Sequence, residues 1–190
     1  MGVYEQDRFP FLKDELNLLE RALADHAPVR GICLGSQLLA TALGGAVQRG
    51  PRKEIDWHRV SLKPDVASDA LFRVSPPEFD AFHWHGDMFE LPAKSTSLAR
   101  SNLTACQAFR YGENTYGILF HLEVTFASVA GMMEAFAEEL RAEGIDASEL
   151  AAQTESALPL LQSIGNGMFR NWAQIPCAVV TPAWRCDSWR

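Results

Sequence analysis

Nowhere in these 190 residues does an apolar run approach the roughly 18 residues needed to cross a bilayer. The opening MGVYEQDRFPF has no basic stretch followed by an apolar one, so it does not read as a secretory signal. Cysteine is scarce. The four present, Cys33, Cys106, Cys177 and Cys186, are far apart and lack the spacing of a metal site. They read as free thiols of a reducing, cytoplasmic compartment, with a Cys177–Cys186 bridge as the one disulfide left open. Basic residues are in the minority, 17 against 24 acidic ones, for a formal net charge of −7. That balance argues against nucleic acid or an anionic membrane as the main partner. It allows a small polar substrate, which needs only a local patch. No internal repeat, low-complexity segment or G-x-x-x-x-G-K-[ST] phosphate loop occurs, and nothing calls for a cofactor.

What is present suggests one α/β domain over residues 1–172 and a C-terminal tail, 173–190, of open role. A length of 190 residues suffices for one sizeable core and not for two comfortable domains. Leucines at 12, 16, 19 and 23 predict a helix beginning after Pro10 and stopped by Pro28. A short apolar strand over 29–34 then turns at Gly35 into a second helix over 37–43, closed by Gly44 and Gly45. Strands are predicted over 55–62 and over 79–84, the latter broken by Gly86 and Asp87. Segments 105–110 and 116–122 read as strands joined by a tight turn at Gly112, and further helices are predicted over 126–140 and 158–172. Helices alternating with short apolar strands predict a mostly parallel sheet with helices on both faces.

The chemistry-bearing stretch is GICLGSQ, residues 31–37. A glycine two residues before Cys33 and another two after it suit a nucleophile on a sharp strand-to-helix turn, the cysteine version of G-x-S-x-G. The helix start beyond it would lower the thiol pKa and offer N–H groups to an oxyanion. A buried cysteine in a glycine-bounded turn is the plainer alternative. His121 follows an apolar strand, and Glu123 two residues on points to the same side. Together with Cys33 they form a nucleophile–base–orienter set in chain order, unless they are only a surface pair. His83 and His85 alternate in FHWHGD without a third ligand at convincing spacing. That segment reads as a pocket rim rather than a metal site.

These stretches resemble the class I (triad) glutamine amidotransferases, especially free-standing domains similar to the glutaminase part of GMP synthetase. The likeness rests on GICLGSQ against the elbow G-x-C-x-G-x-Q and on FHLEVT, residues 120–125, against an apolar strand entering H-x-E. FHWHGDMFELP and CQAFRYG between them add to it, and the match runs from Tyr4 to about Trp172. The resemblance implies a flavodoxin-like amidotransferase fold and a thioester route. Cys33 would attack the glutamine side-chain amide, His121 would serve as base and then acid, and Glu123 would orient His121. It also implies that Leu34 supplies an oxyanion donor through its N–H. Gln37 would contact substrate, while Trp84, His85, Gly86 and Asp87 would line the glutamine pocket. Ammonia would pass to a separate synthetase chain; cleavage of γ-glutamyl amides, or binding alone by an inactive remnant, are the alternatives. Ser36 and Leu122 (the latter in place of the frequent proline of H-P-E) depart from the family pattern without removing a reacting group. Family members carry strands and a G-G-P loop before the point matching Tyr4. The resemblance therefore implies an N-terminally incomplete domain lacking one oxyanion donor, with reduced activity expected of the 190-residue chain.

Overall fold

A computed structural model describes residues 1–175, a range that leaves the Cys177–Cys186 pair and nearly all of the 173–190 tail outside it. Among the described residues six strands form one sheet. β1 (Val29–Ile32), β2 (Val47–Leu62), β3 (Glu78–Phe89), β4 (Ser95–Arg100), β5 (Ala108–Tyr111) and β6 (Thr115–Ile118) lie in the order β1-β6-β5-β4-β2-β3. Among the described residues five α-helices accompany them: α1 (Phe11–Ala24), α2 (Leu34–Ala42), α3 (Phe126–Ala135), α4 (Ala137–Glu143) and α5 (Ala147–Trp172).

The expected α/β class is present, with helices on both faces. Alternation along β5 and β6 separates the two cores. Phe109 and Leu119 point to one side with Leu39 and Ala40 of α2 and the apolar face of α1. Ala108, Tyr116 and Ile118 point to the other, against α3 and α5 residues such as Val129, Leu158 and Leu161. The strand directions differ from expectation. Only β1 and β6 run parallel; the pairs β2–β3, β2–β4, β4–β5 and β5–β6 are antiparallel. The reason lies in the connections. A parallel pair needs a long crossover, usually helical, whereas antiparallel neighbours can be joined by tight turns. Gly112, at φ 59°, makes such a turn between β5 and β6.

Several boundaries also shift. β2 begins at Val47, not near residue 55, and β3 runs through Gly86 and Asp87 to Phe89. Pairing with each other keeps both extended across an irregular stretch, where the register slips between Arg49 and Glu54. The helix expected over 126–140 is two, α3 and α4, broken at Phe136 (φ −117°). α5 starts eleven residues before Leu158, at Ala147, capped by Asp146, whose carboxylate accepts from the Ser148 and Glu149 N–H groups at 2.7 and 3.2 Å. Pro159 inside this helix disguises its earlier half.

α5 also anchors the region around residue 121. A Cβ on Gly165 would fall 2.6 Å from the Leu122 carbonyl oxygen, so the helix lies directly against that backbone. Gln162 Nε2 donates to the Val124 carbonyl at 3.3 Å, and the Trp57 indole N–H donates to Thr154 Oγ1 at 2.9 Å. Among the described residues no helix is long and apolar enough to cross a membrane.

Candidate active site

The turn from β1 into α2 is as tight as the glycine pattern predicts. Cys33 sits at φ 49°, ψ −112°, outside the regions a side-chain-bearing residue ordinarily occupies. Its carbonyl accepts from the Ser36 N–H at 2.9 Å, the Gln37 N–H at 3.2 Å and the Ser36 hydroxyl at 2.6 Å, while its own N–H donates to the Ile118 carbonyl at 2.8 Å. These bonds hold the strained turn from both sides. The two glycines are not equivalent. A Cβ on Gly31 would come within 2.3 Å of the Gly35 carbonyl oxygen, whereas a Cβ on Gly35 would meet nothing within 4 Å. Gly31 is demanded by the close approach of the helix start; Gly35 is not. The first N–H groups of α2, Leu34's among them, lack intrahelical acceptors, as at any helix start.

Strand β6 runs parallel to β1 and delivers the next segment to the same end of the sheet. The His121 N–H donates to the Phe82 carbonyl at 2.8 Å, the only bridge between that segment and β3 among the described residues. The ring is nearly buried, and its Nδ1–H donates to Glu123 Oε1 at 2.6 Å. The other Glu123 oxygen accepts from the Leu122 N–H at 2.9 Å, which fixes the carboxylate. Burial alone would lower the His121 pKa. Interaction with Cys33 and with Glu123 outweighs it and raises the group to about 10. Burial likewise opposes ionisation of Glu123, yet the bond to His121 keeps its pKa below the usual carboxylate value.

Cys33 and His121 open onto one cleft of about 860 Å³. Leu34, Gln37, Trp84, His85, Gly86 and Asp87 line it too, while Glu123 stands behind His121 and His83, expected at the pocket rim, is fully buried away from the space. The Cys33 Sγ lies 3.9 Å from the Trp84 carbonyl oxygen. Gln37 is buried, and its Nε2 donates to the Asp87 carbonyl at 3.2 Å; the Asp87 carboxylate accepts from the Tyr4 hydroxyl at 2.9 Å. Among the described residues the other free cysteine, Cys106, is buried just before β5, where burial raises its pKa and leaves it a packing residue.

A second layer of polar groups carries no signature in the sequence. Glu139 of α4 accepts from the Trp84 indole N–H at 2.9 Å and from Lys53 Nζ at 2.7 Å, and Glu143 sits 3.1 Å from the same ammonium. That clasp ties α4 to the cleft wall, while the Phe136 ring packs 5.7 Å from the Trp84 ring. Glu54 is buried beneath the wall. No spacing marks these residues, because each acts across strands or from a helix distant along the chain. His83 and His85 do share a side, with ring centroids 5.6 Å apart, and both are buried. Burial, reinforced by neighbouring imidazoles, lowers the pKa of His83 and brings that of His85 to about 4. Both are therefore neutral near pH 7. Among the described residues no group of three or more His, Cys, Asp or Glu is placed to hold a metal ion.

The α/β sheet thus presents a cysteine on a strained elbow and a His–Glu pair at the end of the adjacent parallel strand. The profile of the family "Glutamine amidotransferase class-I" matches residues 2–138, and the chain belongs to that family. A glutamine amidotransferase-like protein of Salmonella typhimurium is 36% identical over 126 residues, which cover 66% of this chain and 53% of that protein. One chain of a glutamine-hydrolysing GMP synthase from Methanococcus aeolicus is 34% identical over 118 residues, 61% of each chain. The chain thus spans little more than half the length of these relatives. The crystal structure of a glutamine amidotransferase from Thermotoga maritima superposes with a TM-score of 0.85 at 35% identity, covering 92% of this chain and 74% of that one. The fold is that of the class-I amidotransferases.

Proposed function

We propose that the protein hydrolyses the side-chain amide of glutamine through a thioester on Cys33 and supplies ammonia to a separate acceptor-activating enzyme. The observation that carries this reading is the shared cleft. Cys33 on its strained turn and the Glu123-bound His121 face one space, in the family to which the chain belongs. In the proposed cycle His121, oriented by Glu123, takes the Cys33 proton as the sulfur attacks the amide carbon. The N–H of Leu34 at the start of α2 donates to the developing oxyanion. His121 then gives its proton to the departing amine, which leaves as ammonia. Water attacks the thioester, with His121 as base again, and glutamate is released from the restored thiol. Gln37, Trp84, His85, Gly86 and Asp87 form the substrate pocket in this reading, with the Gln37–Asp87 bond fixing one wall.

A second reading, cleavage of larger γ-glutamyl amides, draws on the size of the cleft. Its 860 Å³ lies toward the upper end of the range of about 300–1,000 Å³ usual for small-ligand sites. Ammonia and amine release measured with free glutamine and with γ-glutamyl dipeptides, each with and without an added synthetase, tests both. Release from glutamine with selective labelling of Cys33 by a glutamine-like electrophile is the expected result. Turnover of the dipeptides alone would favour the second reading, and absence of both turnover and labelling would overturn the two together.

A further inference from the structure

We propose that Glu54 is a positioning residue of the cleft, holding the His85 imidazole in the Nε2–H tautomer and in one orientation beside Cys33 and His121. Glu54 pairs in register with His85 across β2 and β3, just after the irregular stretch of β2. Its side chain is 2% exposed, and its carboxylate accepts from the Ser101 hydroxyl at 2.5 Å, the Thr104 hydroxyl at 2.5 Å and Gln107 Nε2 at 2.9 Å. All three donors come from the segment joining β4 to β5. The fourth neighbour is His85, whose Nε2 lies 3.6 Å from Glu54 Oε2. His85 is itself 94% buried, borders the cleft, and has no hydrogen-bond partner on either ring nitrogen.

The chemistry of the pair assigns the proton. An ionised carboxylate only accepts, so the ring nitrogen turned toward it is the one that carries hydrogen. At 3.6 Å the contact acts through charge rather than as a formed hydrogen bond. The Asp87 backbone also acts on the ring and favours its protonated form. Glu54, the carboxylate that faces Nε2, decides between the Nε2–H and Nδ1–H tautomers. With Nε2 protonated, Nδ1 is left as an acceptor, and the Asp87 carbonyl remains available to Gln37. Burying a carboxylate is unfavourable unless its lone pairs are matched. Three fixed donors and one imidazole match it, whereas an amide at position 54 would turn an N–H group toward at least one donor.

The consequence for substrate rests on the proposed glutaminase reading: a His85 ring fixed in this way meets glutamine in one hydrogen-bonding state. The tautomer itself does not rest on it. Long-range ¹H–¹⁵N spectra of histidine-labelled protein, with the His85 signals assigned through His85→Gln, read the tautomer directly. The expected result is Nε2–H in the wild type and its loss in Glu54→Gln, with KM for glutamine raised about tenfold and kcat changed less than about threefold. Ser101→Ala removes one donor but leaves the carboxylate, and is expected to keep the tautomer. Should Glu54→Gln fail to fold, Glu54→Asp replaces it, with the tautomer expected to become mixed as the carboxylate withdraws. A wild-type Nδ1–H tautomer, or an unchanged His85 spectrum in the folded Glu54 variant, overturns the proposal. A wild type that binds no glutamine overturns the glutaminase reading and leaves the tautomer result standing.

Discussion

The two halves of the cleft are built on different physical plans. One side, the β1–α2 elbow with the end of β6, is a parallel pair carrying a local signature: glycines around Cys33, and His121 with Glu123 two residues on. The other side, the β2–β3 ribbon, is antiparallel and carries its polar groups across strands, as Glu54 faces His85 and Glu139 reaches Trp84 from α4. The elbow stores backbone strain and holds a charge-prone histidine. The ribbon buries neutral histidines, one of them, His85, beside a single carboxylate. Chemistry in the first is local in the chain, and in the second it is assembled by folding.

Four tests break or sharpen this contrast. The largest effect is expected at the elbow: on the proposed function, Cys33→Ala lowers the glutaminase rate by roughly four orders of magnitude or more with the fold intact, read by ammonia release and thermal melting. Next, Gly31→Ala is expected to destabilise by about 3 kcal/mol, because its Cβ would fall 2.3 Å from the Gly35 carbonyl oxygen. Gly35→Ala, with open space around it, is expected to change stability by less than about 1 kcal/mol. Denaturant titrations of the pair check both values, and equal losses would show that the tightness of the turn lies elsewhere.

The third contrast is in pH. His85, lowered to about 4 in the fold, leaves the unfolded chain binding more protons below its ordinary value of 6.5. Stability therefore falls as pH drops from about 6.5 toward 4, by up to about 1.4 kcal/mol per pH unit. His121 has the opposite sign. Raised to about 10, it contributes fully below 6.5 and loses that contribution as pH climbs through 10. Unfolding free energies across this range test the assignment, with His85→Gln removing its share of an acid limb to which buried His83 also contributes, and His121→Gln flattening the alkaline one. The smallest effect is expected in the ribbon, where Asp56 sits at φ 126°. Asp56→Gly relieves that backbone and is expected to stabilise by about 1 kcal/mol, less what is lost with the bond from the Trp57 N–H to Asp56 Oδ1. A destabilised glycine variant would show that this bond outweighs the strain.

The same contrast explains what could be read in the chain. Cys33, His121 and Glu123 were legible because a sharp turn and a strand end impose short-range residue patterns. The α1 pattern and the β5–β6 turn were legible for the same reason. Strand direction was not, since alternation of helix and strand does not distinguish a crossover from a hairpin. β4 escaped because SLAR carries too little alternation to mark a strand, and α5 was shortened by Pro159. Glu54 and Glu139 look like any surface carboxylate in the chain. Only the pairing of β2 with β3, the segment joining β4 to β5 and the packing of α4 give them partners.

The bridge from the His121 N–H to the Phe82 carbonyl is where the two plans meet. It is one exchangeable proton held between the proposed base and the strand that carries Trp84 and His85. Any opening of the ribbon away from the elbow must break it, so the lifetime of that single amide in heavy water is a clock for the coupling of the cleft's two walls.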